Sequence, residues 1–428
     1  MSIQFAPPKT AALLDASASP DPALSPPLAA DMWITRGSPA YRRASLGLFF
    51  MGFSTFALVW SVQPMLPAFA RTFSVTPAES SLAMSLTTGW LAVSIMASVL
   101  VSHALGRRGV MCASMALGAA LNLAAALSPS WTGILFARAL EGLVLGGVPA
   151  VAAAYLAEEI EPRSLPRAMG LYIAGNALGG LVGRVGMGVL SELASWRVAM
   201  AALGLFCLAS AALAFWLLPV SRNFVPKRGL GPSHHLKQWG RHLSNPPLLG
   251  LFVIGFALLG IYVTIYNYVG FRLAEAPFGL GQTAISMIFL CVVIGVAGSS
   301  ISGALADRFG KRAMMAAGFV TIGAGVLMTA ANSAPLVIAG VVFLTGGFFV
   351  THAIASASVG PLSGSAKAHS AALYMVFFYV GASVVGSLGG VMWQHWGWPA
   401  VAALTGGFTL AGLALSFVAL QAEPKRTP

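Results

Sequence analysis

Three ionisable residues sit deep within apolar sequence. The stretch 131–155, WTGILFARALEGLVLGGVPAVAAAY, is long enough to cross a bilayer yet carries Arg138 and Glu141. The next apolar run, residues 169–193, carries Arg184 within GNALGGLVGRVGMG. A charge at the bilayer centre costs ~2.5–3.5 kcal/mol or more, so such residues face a water-filled or protein-lined interior. Arg138 and Glu141 are three apart and share one helix face. If the first segment runs inward from Trp131 and the second outward to Leu193, Arg138 and Arg184 lie roughly 10–14 Å below the same surface. This places two cations and one anion at one depth, the lining expected of a transport cavity. The same spacing also suits a salt bridge that only locks helices together, and both readings stand. Glu141 is the one carboxylate deep in a span, which makes it the candidate proton carrier; a permanently ionised partner of Arg138 is the competing role. The second arginine leaves one positive charge uncompensated. A planar guanidinium matches carboxylate or phosphate oxygens, which favours an anionic or oxygen-rich substrate.

Other polar side chains fall at comparable depth. The segment YVTIYNYVG offers Tyr262, Tyr266, Asn267 and Tyr268, and ALYMVFFYVG offers Tyr374, Phe378 and Tyr379. Gln63 precedes Pro64, and Asn176 interrupts a glycine-rich run. Polar groups in membrane helices tend to face other helices, whereas aromatic tips near span ends also serve as interfacial anchors; the tyrosines fit either role. Trp393, Trp396 and Trp398 read as anchors. Cys112, Cys207 and Cys291 are scattered through apolar runs and suggest neither a metal motif nor a disulfide framework. There is no G-x-x-x-x-G-K-[ST] loop for ATP: the GKR at 310–312 lacks the hydroxyl residue. No metal-ligand cluster or base–nucleophile constellation appears within the spans. The expectation is a protein that is not an enzyme, with no cofactor and the proton as coupling ion.

The elements that must position these residues follow from composition. The 428 residues are 57% hydrophobic and only 8% charged, against about 25% charged in a soluble domain. The fold class is therefore an all-α membrane protein. Twelve apolar runs lie at 46–70, 80–102, 109–128, 131–156, 167–192, 197–219, 247–270, 281–304, 313–331, 335–357, 369–393 and 399–420, each near the ~20 residues that span hydrocarbon. Residues 1–44 and 421–428 read as polar tails, the first disordered. A basic linker at 220–246 separates two bundles of six, 45–219 and 247–420. Placing both termini in the cytoplasm puts 19 of the 24 Lys and Arg on that side and three on the other, as the positive-inside rule requires. This distribution accounts for the net charge of +12 without nucleic acid. The partners expected are a lipid bilayer and a small-molecule substrate, and the protein is read as a monomer.

The halves also look like repeats. SHALGRRGVM after the second run and GALADRFGKRAMM after the eighth share a G-[RK]-R core. Repeated halves with a site at their interface are a transporter signature. Residues 303–312, with Gly303, Asp307, Arg308, Gly310, Lys311 and Arg312, resemble the G-x-L-x-D-R-x-G-R-R loop of the major facilitator superfamily. Leu135, Arg138, Glu141 and Gly142 resemble its fourth-helix motif. The wider run RALEGLVLGGVPAVAAAYLAEEI, with VQPMLPAFA and ALYMVFFYVGASVVGSLGG, is similar to the YnfM-type inner-membrane carriers. The resemblance covers residues 45–420. It implies two pseudo-symmetric six-helix bundles, alternating access, an inner-membrane location and efflux, of the antiporter kind suggested by the glycine-rich fifth helix, although the antiporter Gly-Pro pair is absent. In the first-half copy of the loop, Gly106, Arg107 and Arg108 match, but His103 and Ala104 replace the Asp-Arg pair. Asp307 is thus expected to hold the inner gate against the start of the fifth helix. The His103 side is expected to be looser or pH-sensitive, unless the change is drift at a redundant gate. Glu158, Glu159 and Glu161 are expected to pair with Arg107 and Arg108.

Overall fold

The structure is a computed structural model that describes residues 33–223, 232–364 and 367–419. Backbone in hydrocarbon must satisfy its N–H and C=O groups internally, which selects helices. The first half comprises α1 (Pro39–Trp60), a 3-10 turn (Gln63–Met65), α2 (Leu66–Phe73), α3 (Pro77–Leu105), α4 (Arg107–Leu127), α5 (Trp131–Leu145), α6 (Gly147–Glu159), α7 (Leu165–Leu193) and α8 (Trp196–Leu217). The connecting segment carries α9 (Pro232–Leu243). The second half comprises α10 (Pro246–Ala274), α11 (Gln282–Met287), α12 (Cys291–Phe309), α13 (Lys311–Met328), α14 (Ala334–Leu362) and α15 (Lys367–Ala419). Among the described residues, eleven helical segments are long and apolar enough to cross a membrane. The last has 53 residues, roughly 80 Å of helix, more than twice the thickness of a hydrocarbon core. Gly397 interrupts it with φ +67° and ψ −159°, followed by Pro399. The length and this break make α15 two crossings, consistent with the twelve runs in the sequence.

Two boundaries differ from the sequence expectation. Residues 33–44 are not a free tail: Ser38 caps α1 and Pro39 starts it, while Ile34 donates to the Glu159 carbonyl at 2.8 Å and accepts from the Glu161 amide at 3.2 Å. Proline at the first helical position needs no N–H partner, so the helix begins ahead of the apolar run. The 220–246 linker is not all loop, because α9 forms within it; its apolar residues are too few for a span, and only their helical spacing marks it.

The helix ends define two faces. On the face bearing most Lys and Arg, Arg107 pairs with Glu158 at 2.7 Å and the Tyr155 hydroxyl donates to the Pro219 carbonyl at 2.9 Å. Glu159 instead accepts from the amides of Arg222 and Asn223. Arg108 binds the Phe215 carbonyl and lies over its ring, rather than pairing with a glutamate. On the far face, Arg197 donates to the carbonyls of Ala126 and Ser128, and Arg272 to those of Thr329, Ala330 and Ala331. These arginines cap helix C-termini, whose last carbonyls lack intrahelical partners. Trp398 is buried against Arg272, 5.0 Å from its ring, so packing rather than interfacial anchoring is its role.

The two halves echo each other at the paired loops: Gly106 has φ +76° and Gly310 φ +87°, a conformation that favours glycine. The glycine-rich α7 is explained by close packing. A Cβ at Gly179 would strike the Phe53 backbone, and one at Gly183 would lie 2.8 Å from the Ala57 Cα. Glycine lets α7 lie directly on α1.

Candidate functional site

The first crossing breaks where Pro64 and Pro67 cannot donate backbone hydrogen bonds. The turn leaves carbonyls at the end of α1 in need of donors. Arg138, from α5, adds donors there: its guanidinium donates to Val59 O at 3.2 Å and to Leu58 O at 3.3 Å, which the Ser61 hydroxyl also meets, and it reaches Ala83 O of α3 at 3.4 Å. Its charge is matched by Glu141 Oε2 at 2.5 Å. Both side chains are 0% exposed, and Glu141 Oε1 has no hydrogen-bond partner. Gly142 sits against the Thr87 backbone, and the Thr87 hydroxyl donates to the Arg138 carbonyl at 3.2 Å. This pair is therefore sealed among α1, α3 and α5.

Arg184 lies elsewhere. It donates to Gln63 Oε1 at 2.8 Å and to the Gly180 carbonyl at 3.0 Å. Its guanidinium lies 4.4 Å from the Trp60 ring and 5.2 Å from the ring of Phe289, in the opposite half. The side chain is 4% exposed and has no carboxylate in ion-pair range among the described residues. The three charged residues thus do not form one cluster, because Arg138 and Arg184 serve different surroundings of the same break in the first crossing.

Gln63 carries the arrangement across the halves, donating through Nε2 to Asn267 Oδ1 at 2.8 Å. The Tyr262 and Tyr266 rings are 4.5 Å apart, and Tyr266 stacks on Phe289 at 5.1 Å. The Tyr266 hydroxyl meets Thr345 Oγ1 at 2.8 Å. Tyr374 and Tyr379 are also buried in the second half, so none of these four tyrosines is an interfacial anchor. Asn176 is half-buried on α7, its Oδ1 without a partner.

Above this layer the far face is shut. Gln282 Nε2 donates to the Pro64 carbonyl and the Thr283 amide to Glu192, each at 2.5 Å. Gly188 lies so close to Ser286 that a Cβ would collide with its hydroxyl. The void left among Gln63, Pro67, Tyr266 and Phe289 is about 10 Å³, at the lower limit for one water. At the basic face, Asp307 and Arg308 are exposed, and Asp307 makes no bond to α7 among the described residues. The contact to the start of the fifth crossing expected of Asp307 is not made among the described residues. Arg312 lies 5.1 Å from the Phe417 ring; Gly303 is exposed and open, and the His103 side chain lies outside the described residues.

Sequence reasoning missed His352. It is half-buried on α14, with Nδ1 3.0 Å from the Tyr374 hydroxyl. Its ring lies parallel to Phe348 at 5.8 Å and stacks on Phe378 at 4.5 Å. The signal was present: a histidine within the apolar run 335–357, ten residues from the end of α14.

Known proteins share this architecture. The chain is 39% identical to the MFS-type transporter YybF of Bacillus subtilis (strain 168) over 384 residues, 90% of this chain and 95% of YybF. It is 39% identical to the inner membrane transport protein YnfM of Escherichia coli (strain K12) over 374 residues, 87% of this chain and 89% of YnfM. A bacterial homologue of the human lysosomal transporter Spinster, solved inward-facing and occupied, superposes with a TM-score of 0.73 at 13% identity, covering 90% of this chain and 98% of that one. The family profile for the Major Facilitator Superfamily matches residues 48–305 and 271–428. On this combined footing of fold, repeated loops and sequence, the chain belongs to the major facilitator superfamily.

Proposed function

We propose that this transporter exports a small organic molecule bearing a carboxylate, phosphate or similarly oxygen-rich head, coupled to protons, by alternating access. The observation that carries the reading is Arg184, a buried cation that touches both halves and has no carboxylate partner among the described residues. An uncompensated charge in a low-dielectric interior favours an anion. The basic face is taken as cytoplasmic, with both termini inside, and the state is inward-facing in an inner membrane, as YnfM's name specifies for that relative.

Substrate enters between the halves from the cytoplasm and its head meets Arg184. Gln63, Asn267, Tyr262 and Tyr266 surround the same layer and set its shape. Because Arg184 also lies against Phe289, neutralising it alters a contact that joins the halves beneath the far gate. The coupling proton is taken by His352, half-buried on α14 beside the Tyr374 hydroxyl. Glu141 is sealed here and serves as a second carrier only if the opposite state exposes it. Asp307 closes the cytoplasmic gate when the far gate opens.

Thermal-shift screening of purified protein against organic acids, sugar phosphates, sugars and cationic drugs finds the substrate. Counterflow and pH-driven efflux are then measured in proteoliposomes. Arg184→Gln should abolish binding of the anionic hit, while Arg184→Lys retains part of it. Selection of an uncharged or cationic ligand that Arg184→Gln binds normally overturns the anion assignment. Transport that survives collapse of the pH gradient favours an uncoupled or uptake facilitator for a sugar or organic acid. Among coupling groups, His352→Gln should remove the pH dependence of efflux. If Glu141→Gln removes it and His352→Gln leaves it intact, the proton belongs to Glu141.

A further inference from the structure

A polar cavity lies away from the Arg184 layer, at the basic face of the second half. It measures about 230 Å³ and is walled by Gln238, Arg241, His242 and Asn245 on one side and by Leu362, Ser363 and Gly364 on the other. The first wall is α9 and the residue preceding α10; the second is the end of α14 and the turn that follows. Trp239 of α9 meets His369 of α15, ring centroids 6.3 Å apart, so α9 packs onto the start of the eleventh crossing as well. The cavity is thus built by the linker and the end of the tenth crossing, with the eleventh packed beside it.

Its chemistry is basic and unsatisfied. Arg241 is exposed and makes no hydrogen bond or ion pair among the described residues. His242 is only 5% exposed, yet its Nε2 has no hydrogen-bond partner. Lys237 precedes Arg241 by four residues, one helical turn away on the same face. No Asp or Glu occurs in residues 232–249 or 358–374, so neither wall's own segment can neutralise this charge. Amide side chains at Gln238 and Asn245 add neutral donors. A guanidinium beside an imidazole and two amides, with no carboxylate, matches the oxygens of a phosphate. The location adds to the match. α9 reads PSHHLKQWGRHL, an amphipathic and basic helix with a tryptophan, the composition of helices that lie in a membrane interface and attract anionic lipid.

We propose that this cavity is a phosphate site that holds α9 to the ends of the tenth and eleventh crossings, occupied by the phosphodiester of an anionic lipid headgroup or by a soluble phosphate. Occupancy clamps the linker against the second half, so the ligand biases the resting state without touching the Arg184 layer.

The test uses the full-length protein in a mild neutral detergent. Phosphatidylglycerol, phosphatidylcholine and inorganic phosphate are titrated separately, with melting temperature and lipid retention in native mass spectrometry as readouts. The site predicts that phosphatidylglycerol is retained and stabilises, that phosphatidylcholine does not, and that Arg241→Gln weakens phosphatidylglycerol about fivefold or more, the scale of one basic residue near a membrane surface. Arg163→Gln, an exposed arginine on the same face of the other half, controls for loss of charge alone. Asn245→Ala, which changes no charge, should also weaken retention. Stabilisation by inorganic phosphate that depends on Arg241 while phosphatidylglycerol has no effect assigns the site to a soluble phosphate. If Arg241→Gln and Asn245→Ala bind both probes as the parent does, or if Arg163→Gln reduces binding equally, there is no phosphate site here.

Discussion

The assignment of Arg138 as a helix cap can be separated from that of a simple ion pair by a double-mutant cycle. Arg138→Met removes the donor to three carbonyls and leaves Glu141 buried without its partner. Breaking a buried pair from one side costs ~3–5 kcal/mol. Glu141→Gln keeps an acceptor near Arg138 and leaves the carbonyl bonds in place, so its cost should be smaller. Arg138→Met with Glu141→Leu removes both charges. For an ion pair alone, that exchange is often close to neutral. Here the Val59 carbonyl loses its arginine donor, while those of Leu58 and Ala83 keep the Ser61 and Thr87 hydroxyls, and an unsatisfied buried acceptor costs ~1–3 kcal/mol. The expected order is therefore the arginine single mutant worst, the double mutant intermediate and the glutamate single mutant mildest. With roughly 2–4 °C of melting temperature per kcal/mol for a unit of 150–250 residues, the arginine single mutant should melt on the order of 10 °C below the parent in detergent. Hydrogen exchange at residues 58–65 should rise in the two variants lacking Arg138 and not in Glu141→Gln. A double mutant as stable as the parent, with unchanged exchange at the break, would refute the capping argument.

Three further outcomes follow from packing. Gly179→Val should strike the Phe53 backbone and cost ~1–3 kcal/mol or more by overpacking, seen as loss of the monodisperse peak in size-exclusion chromatography; Gly186→Val, with nothing within 4 Å of its Cβ, should behave as the parent. Cysteines at Glu192 and Thr283, introduced after replacing Cys112, Cys207 and Cys291, should react with a short bifunctional linker and arrest transport reversibly if the linker is cleavable; transport that continues after complete cross-linking would show that the far gate need not open there. Asp307→Asn should leave the melting temperature unchanged, since Asp307 is exposed and makes no bond among the described residues, while raising labelling of cysteines placed between the halves at the basic face; unchanged labelling would dissociate Asp307 from the proposed gate.

Composition and charge placement were sufficient for the class of fold. Helices in hydrocarbon need long apolar runs, and basic loops resist translocation, so the crossings and the orientation proposed above are written along the chain in a local code. The G-[RK]-R loops mark the repeat for the same reason: a glycine at positive φ is required where one helix ends and the next begins. Glycines recurring along α7 permit close helix packing, but the sequence does not say that α1 is the partner. The three buried charges could be listed from sequence, but not sorted. Depth along a helix can be counted; the side of a neighbouring helix that a residue meets cannot. Arg138 and Arg184 are at similar depth in the sequence reading, yet one caps the broken end of α1 and the other lies between Trp60 and Phe289. That division depends on how α5 and α7 are rotated about the first crossing, which only the packed bundle sets. His352 was passed over because its importance comes from Tyr374 and Phe378, brought beside it by a different crossing. The closed far gate is also a tertiary fact, since Gln282, Thr283 and Ser286 gain their meaning only from Pro64, Glu192 and Gly188 in the other half.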